Sequence, residues 1–201
     1  MKNLSKKQYY LSLVLILLSF SLVKAENDPY YVGLSIGQAF EQLDETKALN
    51  HFRRFTSIDF DNAFGFQLRA GYIKNDFFTG EVLFEYIFPF ESDSANENVE
   101  IDVLHFDIQS KLTYQQPGPM VPYFLIGMGI INSQMKSEIK YDKSIIHENE
   151  WGFSTKLGAG FDIYITPNIF SHIELSWTSG LGNVDHIRYP ALVFGGNYRF
   201  Q

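Results

Sequence analysis

The feature that most constrains this chain is an alternation of side chains with a period of two, which returns eight times along it. Within each segment, large apolar side chains recur at every second position opposite glycine and polar side chains, although Leu125 and Ile131 blur this contrast in the fifth segment. This alternation is typical of a β-strand whose two faces meet different surroundings. The eight segments cover residues 30–40, 63–73, 77–88, 103–114, 122–131, 151–165, 169–178 and 189–200.

The connections between these segments alternate between short and long. The short connections are residues 74–76, 115–121 and 166–168. The long connections are residues 41–62, 89–102, 132–150 and 179–188. Short turns on one side and long loops on the other are the organisation of a transmembrane barrel with its long loops outside the cell. The pattern predicts an all-β protein, an eight-stranded antiparallel up-and-down transmembrane β-barrel.

The alternative is a soluble barrel, which would turn its apolar residues inward. The polar face of the segments is rich in glycine, with Gly33, Gly71, Gly127 and Gly158 among its members. Glycine weakens a strand when it faces water, whereas inside a narrow barrel it leaves room for a long neighbouring side chain. A continuous apolar belt in water would aggregate. We therefore expect the apolar face to contact lipid.

The N-terminus has the three parts of a secretory signal. Lys2, Lys6 and Lys7 are followed by an apolar stretch over residues 9–23 and by the small residues Val23 and Ala25. The stretch is shorter than the roughly 20 apolar residues that a spanning helix requires. The sequence therefore predicts a signal peptide over residues 1–25, cleaved after Ala25, and a barrel domain over residues 26–201.

Charge and cysteine content exclude several classes of function. The formal net charge is −7, and removal of residues 1–25 would take away four lysines and no acidic residue. This balance argues against a nucleic-acid partner. The chain contains no cysteine, so it has no disulfide, thiolate metal site or cysteine nucleophile.

Charged side chains of both signs fall on the face that is predicted to line the barrel interior. An eight-stranded barrel is barely wider than its own side chains, so such charges must pair or contact trapped water. The prediction is a polar network that closes the lumen, and the alternative is a narrow polar conduit. The predicted interior network consists of Arg69, Glu81, Glu85, His105, Asp107, Lys111, Lys156, Asp162, His172, Glu174 and Arg199.

Other polar groups could carry chemistry but have a simpler explanation. His172, Glu174 and Ser176 share one face and could form a hydrolase site, although an interior polar column is favoured. His51, His147 and His186 lack metal-ligand spacing and are interpreted as solvated loop residues. The second long connection holds Glu91, Asp93, Glu97, Glu100 and Asp102, which are interpreted as a solvated acidic loop without calcium-loop spacing.

The last segment resembles the C-terminal assembly signal of outer-membrane barrels. Leu192, Phe194, Tyr198 and Phe200 alternate up to the penultimate residue, although Gln201 follows where the aromatic is usually terminal. Further matches are Tyr30 to Gly37, Pro122 to Gly129 and Gly195 to Phe200. Together they resemble the small outer-membrane barrel superfamily of OmpA-type barrels, OmpX-type barrels and opacity-family surface antigens.

This resemblance implies a Gram-negative outer membrane but does not fix an activity. We expect a non-enzymatic surface protein, without cofactor, whose external loops serve adhesion, surface recognition or an envelope-structural role. The alternative is a narrow porin that passes ions or small solutes. The implied partners are outer-membrane lipid, the barrel-assembly machinery and a host or environmental ligand at the loops.

Overall fold

The computed structural model describes residues 29–40, 42, 61–93, 97–114, 116–140 and 145–200. The predicted signal peptide and most of the first long connection, including His51, lie outside these residues. No helix in the described ranges is long and apolar enough to cross a membrane.

Eight antiparallel strands close into one barrel in chain order, and β1 pairs with β8. The strands are β1 Tyr30–Ala39, β2 Ala63–Ile73, β3 Phe78–Asp93, β4 Glu97–Thr113, β5 Met120–Ile139, β6 Ile145–Tyr164, β7 Ile169–Leu181 and β8 Arg188–Arg199. The eight-stranded antiparallel barrel predicted from the alternation is confirmed.

The short turns are held by polar side chains and one glycine. Asn75 Oδ1 accepts hydrogen bonds from the backbone N–H groups of Phe77 and Phe78, at 3.0 and 2.8 Å. Thr166 Oγ1 accepts from the Ile169 N–H at 3.0 Å. Gly118 in the turn before β5 has a φ of 122°, a conformation that L side chains rarely adopt. These turns lie at the end of the barrel that faces the periplasm in outer-membrane barrels.

The outer surface carries an apolar belt around the barrel. Its most exposed side chains include Met128, which is 71% exposed, and Phe153, Ile36 and Ile108. Apolar surface of this extent aggregates in water and is stable against hydrocarbon. The belt is therefore the surface that contacts lipid.

Glycines on the inner face make room for large rings. A Cβ at Gly71 would overlap the ring of Tyr31, and one at Gly160 would overlap the ring of Tyr123. At Gly80, which faces outward, a Cβ would meet nothing within 4 Å. Interior crowding thus accounts for the glycine content of the polar face.

The central strands are longer than the sequence segments. β3 and β4 form a hairpin that extends through most of residues 89–102, and β5 and β6 do the same through much of 132–150. The interpretation of these ranges as loops was therefore wrong. On β3 to β5 the period of two continues in them with the opposite sense, because apolar side chains and serines point inward and polar side chains point outward.

A β-bulge allows β3 to continue past a proline. The register with β4 shifts between Ile87 and Phe90, which places Pro89 at the irregularity. Proline lacks the N–H that a regular ladder requires, so a bulge is one of the few places in a sheet that tolerates it. Beyond the bulge, Phe90 points inward and is fully buried.

Candidate functional site

The membrane-level half of the interior is organised by buried carboxylates. Near the periplasmic end, Lys111 Nζ lies 2.6 Å from Asp162 Oδ2 and 3.8 Å from Glu81 Oε1. Glu81 also accepts hydrogen bonds from the Tyr31 hydroxyl and the Gln109 amide. Lys111 Nζ stands 3.9 Å from the centre of the Tyr123 ring. These contacts provide the pairing that buried charges require.

Arg69 links this cluster to the middle of the barrel. Its Nη1 donates to Glu174 Oε2 at 3.2 Å and lies 4.0 Å from Glu81 Oε2. Its Nη2 donates to Gln67 Oε1 at 2.8 Å. The Tyr123 hydroxyl donates to the same Glu174 oxygen at 3.0 Å. One guanidinium therefore bridges two carboxylates that come from opposite sides of the barrel.

A second cluster surrounds Glu85. Its oxygens accept from Gln67 Nε2 at 2.6 Å and from the Tyr189 hydroxyl at 3.0 Å, and His105 Nδ1 lies 3.2 Å away. Lys156 Nζ lies between the clusters, 3.8 Å from Glu85 and 3.9 Å from Glu174. Strands β2, β3, β4, β6, β7 and β8 are thus tied together through the lumen.

The ring nitrogens of His172 on β7 contact residues other than Glu174 and Ser176. His172 Nε2 lies 3.1 Å from Ser35 Oγ, and Asn197 Nδ2 lies 2.9 Å from His172 Nδ1. Glu174 contacts Arg69 and Tyr123, and the Ser176 hydroxyl has no hydrogen-bond partner among the described residues. The geometry therefore does not assemble a relay from His172, Glu174 and Ser176.

Ten of the eleven predicted interior residues are buried in the lumen, namely Arg69, Glu81, Glu85, His105, Asp107, Lys111, Lys156, Asp162, His172 and Glu174. Arg199 is half-buried at the periplasmic mouth, where it lines a small cavity of about 60 Å³. Asp107 is fully buried, and within the described ranges neither of its carboxylate oxygens has a hydrogen-bond partner. The buried set contains five carboxylates, three permanent cations and two histidines, so acidic groups are in excess.

The outer end of the interior is apolar, which the sequence interpretation missed. A buried cluster, here called the apolar plug, fills this end. Its members are Ala39, Ala63, Ile87, Phe90, Val99, Ile101, Val103, Ile131, Met135, Val184, Ile187, Tyr189, Ala191 and Val193. Phe90, Val99, Ile101 and Met135 alternate within the ranges interpreted as loops, and that alternation was the available signal.

The last long connection folds back into the barrel and contributes to the plug. It contains a short 3₁₀ turn, Gly182–Val184, in which Val184 is fully buried. Ile187 is also fully buried, and His186 is 2% exposed. The interpretation of His186 as a solvated loop residue was therefore wrong, because the connection packs inward. His147 on β6 is exposed.

The acidic residues of the second long connection lie on strands rather than in a loop. Glu91 and Asp93 belong to β3, and Glu100 and Asp102 belong to β4, which begins at Glu97. Two of them pair with lysines: Glu100 Oε2 lies 3.1 Å from Lys136 Nζ, and Asp93 Oδ1 lies 2.5 Å from Lys140 Nζ. The described residues contain no group of three or more acidic or histidine side chains arranged to hold a metal ion.

The predicted assembly residues share the outer face of the closing strand. Phe194 and Tyr198 are exposed, Leu192 is half-buried, and the rings of Tyr198 and Phe200 lie 5.2 Å apart. The Phe200 N–H donates to the Tyr30 carbonyl at 2.9 Å, so backbone pairing between the two ends of the chain continues one residue beyond β8.

Residues 11–200 match the family described as outer membrane protein beta-barrel domain. The chain belongs to this family. It is therefore an outer-membrane β-barrel protein, as the resemblance of its motifs predicted. No protein among the curated sequences matches the chain.

Solved structures of outer-membrane barrels have the same fold. Neisserial surface protein A matches with a TM-score of 0.59 and 15% identity, over 85% of this chain and 97% of that one. Ail, the attachment invasion locus protein of Yersinia pestis, matches with a TM-score of 0.56 and 16% identity, over 87% and 100%. The outer membrane protein OprG of Pseudomonas aeruginosa matches with a TM-score of 0.50 and 14% identity, over 87% and 96%. At these identities the similarity concerns the fold.

Proposed function

We propose that this protein is a non-conducting, non-enzymatic barrel of a Gram-negative outer membrane, which acts at the cell surface through its external hairpins. Surface recognition or adhesion is the primary role, and envelope support follows from the same scaffold. The proposal rests on the filled interior of the barrel. Buried ion pairs fill the lumen at membrane level, and the apolar plug fills it at the outer end.

The filled lumen favours this role over that of a narrow porin. A solute that enters from the periplasm would meet the Arg69–Glu174 bridge and then Lys156 and Glu85, all buried. It would next meet the apolar plug, in which Phe90, Val184 and Ile187 are fully buried. An apolar layer repels water and ions, so the plug adds a second barrier to the ionic layer.

The external hairpins provide a surface for recognition. β3 with β4 and β5 with β6 extend beyond the lipid-facing belt and carry polar residues on their outer faces. Two of the similar structures are of a surface protein and of an attachment protein, the latter crystallised with a heparin analogue. The hairpins of this chain carry more carboxylates than cations, which favours a basic ligand over a sulfated one.

The first test is single-channel conductance of the purified, refolded protein in a planar bilayer. We expect a folded protein to be silent and a Phe90→Ala, Ile187→Ala double variant to show intermittent openings, because the double change removes the centre of the plug. Steady openings of the unchanged protein would contradict the proposal. Heat-modified migration in electrophoresis would establish that each silent sample is folded.

The second test compares surface binding by cells that display the protein with and without one hairpin. Residues 134–149 would be replaced by an Asn-Gly turn, which suits a two-residue hairpin and leaves the membrane-level strands intact. We expect binding to a panel of basic host-surface proteins to be lost with the hairpin. Equal binding by both displayed barrels would overturn a recognition role for the β5–β6 hairpin.

We also propose that Leu192, Phe194, Tyr198 and Phe200 form the signal read by the barrel-assembly machinery, after the signal peptide has been cleaved behind Ala25. Phe200→Ala should lower the amount of assembled protein in the outer membrane, with Tyr114→Ala, an exposed aromatic at the periplasmic end, as the control. Equal assembly of both variants would contradict the proposal. The mass of the mature protein tests the cleavage position.

A further inference from the structure

Strand β6 extends beyond its neighbour on one side only. It runs over Ile145–Tyr164 and pairs with β5 from its first residue. Its pairing with β7 begins only at Phe153, opposite Leu181. After Leu181 the chain leaves the sheet in the 3₁₀ turn Gly182–Val184. Within the described ranges, residues 145–152 therefore pair with a neighbouring strand on the β5 side alone, above the level of the lipid-facing belt.

The alternation of the backbone identifies the groups that face this unpaired side. In an antiparallel ladder, successive residues direct their N–H and C=O groups to opposite sides of the strand. The Tyr164 N–H donates to the Pro119 carbonyl at 2.9 Å, on the β5 side, and β6 pairs with β5 without a register shift. Odd-numbered residues of β6 therefore face the other side. The backbone groups of Ile145, His147 and Asn149 form what we call the β6 edge.

The opposite edge of the same extended sheet is blocked. β3 also extends beyond its last pair with β2, but Pro89 on this extension has no N–H. The Glu91 carbonyl accepts a hydrogen bond from the Asp61 N–H at 2.9 Å. Prolines, bulges, lysines and covering segments are the usual means by which proteins prevent edge strands from pairing with other chains. Residues 145–152 contain neither proline nor lysine, and β6 has no bulge against β5. The β6 edge is therefore open to a further strand.

The side chains beside the β6 edge favour a basic partner. Residues 145–152 contain Glu148 and Glu150 but no lysine or arginine. Ile145 and Glu148 are exposed. Opposite charges at facing positions stabilise a pair of strands, and like charges destabilise it. A partner strand that carries cations beside aliphatic side chains would thus match this edge.

A second copy of the chain matches the edge less well. Two copies in one membrane run their β6 strands in the same direction, so their edges could pair only in parallel. Such pairing would bring the glutamates of one copy beside those of the other, which is unfavourable. The charges therefore favour a different chain as the occupant.

We propose that the β6 edge binds a basic, extended segment of another protein, which pairs with Ile145, His147 and Asn149 as an added strand. Main-chain hydrogen bonds supply the affinity, and lysine or arginine side chains near Glu148 supply the specificity. The inference rests on the recognition role proposed for the β5–β6 hairpin, and it names the chemistry of the partner and the mode of binding.

The test measures binding of a fluorescent peptide of alternating lysine and valine to the purified protein, refolded in an uncharged detergent. His147→Pro removes an N–H from the β6 edge and leaves the pairing with β5 in place, whereas the matched control His147→Ala keeps that N–H. We expect fluorescence anisotropy to show binding weakened by about tenfold or more in His147→Pro and unchanged in His147→Ala.

A second pair of peptides tests the proposal on the unchanged protein, whether or not the proline variant folds. A peptide of alternating lysine and proline keeps the charge but cannot form a regular strand, so we expect it not to bind. A peptide of alternating glutamate and valine keeps the strand propensity and reverses the charge, and it should not bind either.

Three outcomes would overturn the inference. They are no saturable binding of the lysine–valine peptide, equal binding by the folded parent and His147→Pro proteins, and equal binding of the glutamate–valine peptide. Sedimentation that shows a dimer of the protein alone, lost in His147→Pro, would instead assign the edge to a second copy. If replacement of the hairpin abolished surface binding and His147→Pro did not, the proposed function would stand and this inference would fail.

Discussion

The two halves of the barrel interior are built on the same alternation with opposite chemistry. At membrane level the inward residues include nearly all of the buried charges, together with glycines and large rings such as Tyr31 and Tyr123, and the opposite face of each strand carries the apolar belt. Beyond the membrane the inward residues of β3 to β5 are apolar side chains and serines, and the opposite face is polar. The difference shows that the medium around the barrel decides which face of a strand is apolar. Where lipid surrounds the barrel, the apolar side chains point outward and the polar ones line the lumen. Where water surrounds it, the apolar side chains point into the lumen.

The largest expected effect comes from breaking the ionic half. Arg69→Met keeps most of the side-chain volume but removes the partner of Glu174 and of Glu81. Leaving buried carboxylates unpaired should lower the free energy of unfolding by about 3–5 kcal/mol. Urea-induced unfolding in lipid vesicles measures it. Adding Glu174→Gln should recover part of the loss, and an unchanged midpoint for Arg69→Met would contradict the network.

Breaking the apolar half tests whether the plug is packed like a protein core. Phe90→Ala should cost about 3–5 kcal/mol, because it deletes a fully buried ring and leaves a cavity. Phe88→Ala, on the outer face two residues earlier, should cost clearly less. The same urea titration compares them. Similar losses for both variants would mean that the plug contributes no more than the outer surface.

The boundary between lipid and water on the outer surface can be located by placing an arginine at two positions along β5. Met128→Arg in the belt should cost about 2–4 kcal/mol, because it places a cation against hydrocarbon. Gln134→Arg, on the outer face of the same strand, should stay within about 0.5 kcal/mol. Vesicle-based unfolding midpoints give both values. Equal effects at the two positions would remove the proposed boundary between them.

The smallest expected effect is a pH dependence confined to the water-facing hairpins. Since the pKa of Asp102 is raised in the folded protein, the folded state binds more protons than the unfolded state between the usual aspartate range and the raised value. Stability from this group is therefore present at low pH and lost as pH rises through the raised pKa. Asp102→Asn should remove this dependence of the free energy of unfolding on pH, and Glu100→Gln should reduce it. An unchanged pH dependence in Glu100→Gln would contradict the repulsion between the Asp102 and Glu100 carboxylates.

The sequence predicted the barrel because the period of two is strongest where lipid is the outer solvent. The alternation alone predicted the eight segments and the short turns. It also predicted the inward position of residues such as Arg69 and Glu174. The extensions of β3 and β4 were missed because Glu91, Glu100 and Asp102 were interpreted as residues of a solvated acidic loop, and those of β5 and β6 because residues 132–150 were interpreted as a long connection. A search for alternation of either sense would have found Phe90, Ile101 and Met135.

By itself, then, the sequence determined the strand number, the lipid-facing side and the family, because each depends on local periodicity and order along the chain. Only the tertiary structure decided which charges meet, since Arg69 and Glu174 are far apart in sequence and are joined across the lumen by barrel closure and register. It also decided that the outer end of the lumen is plugged by apolar side chains. These depend on distances between strands, which a one-dimensional pattern does not contain.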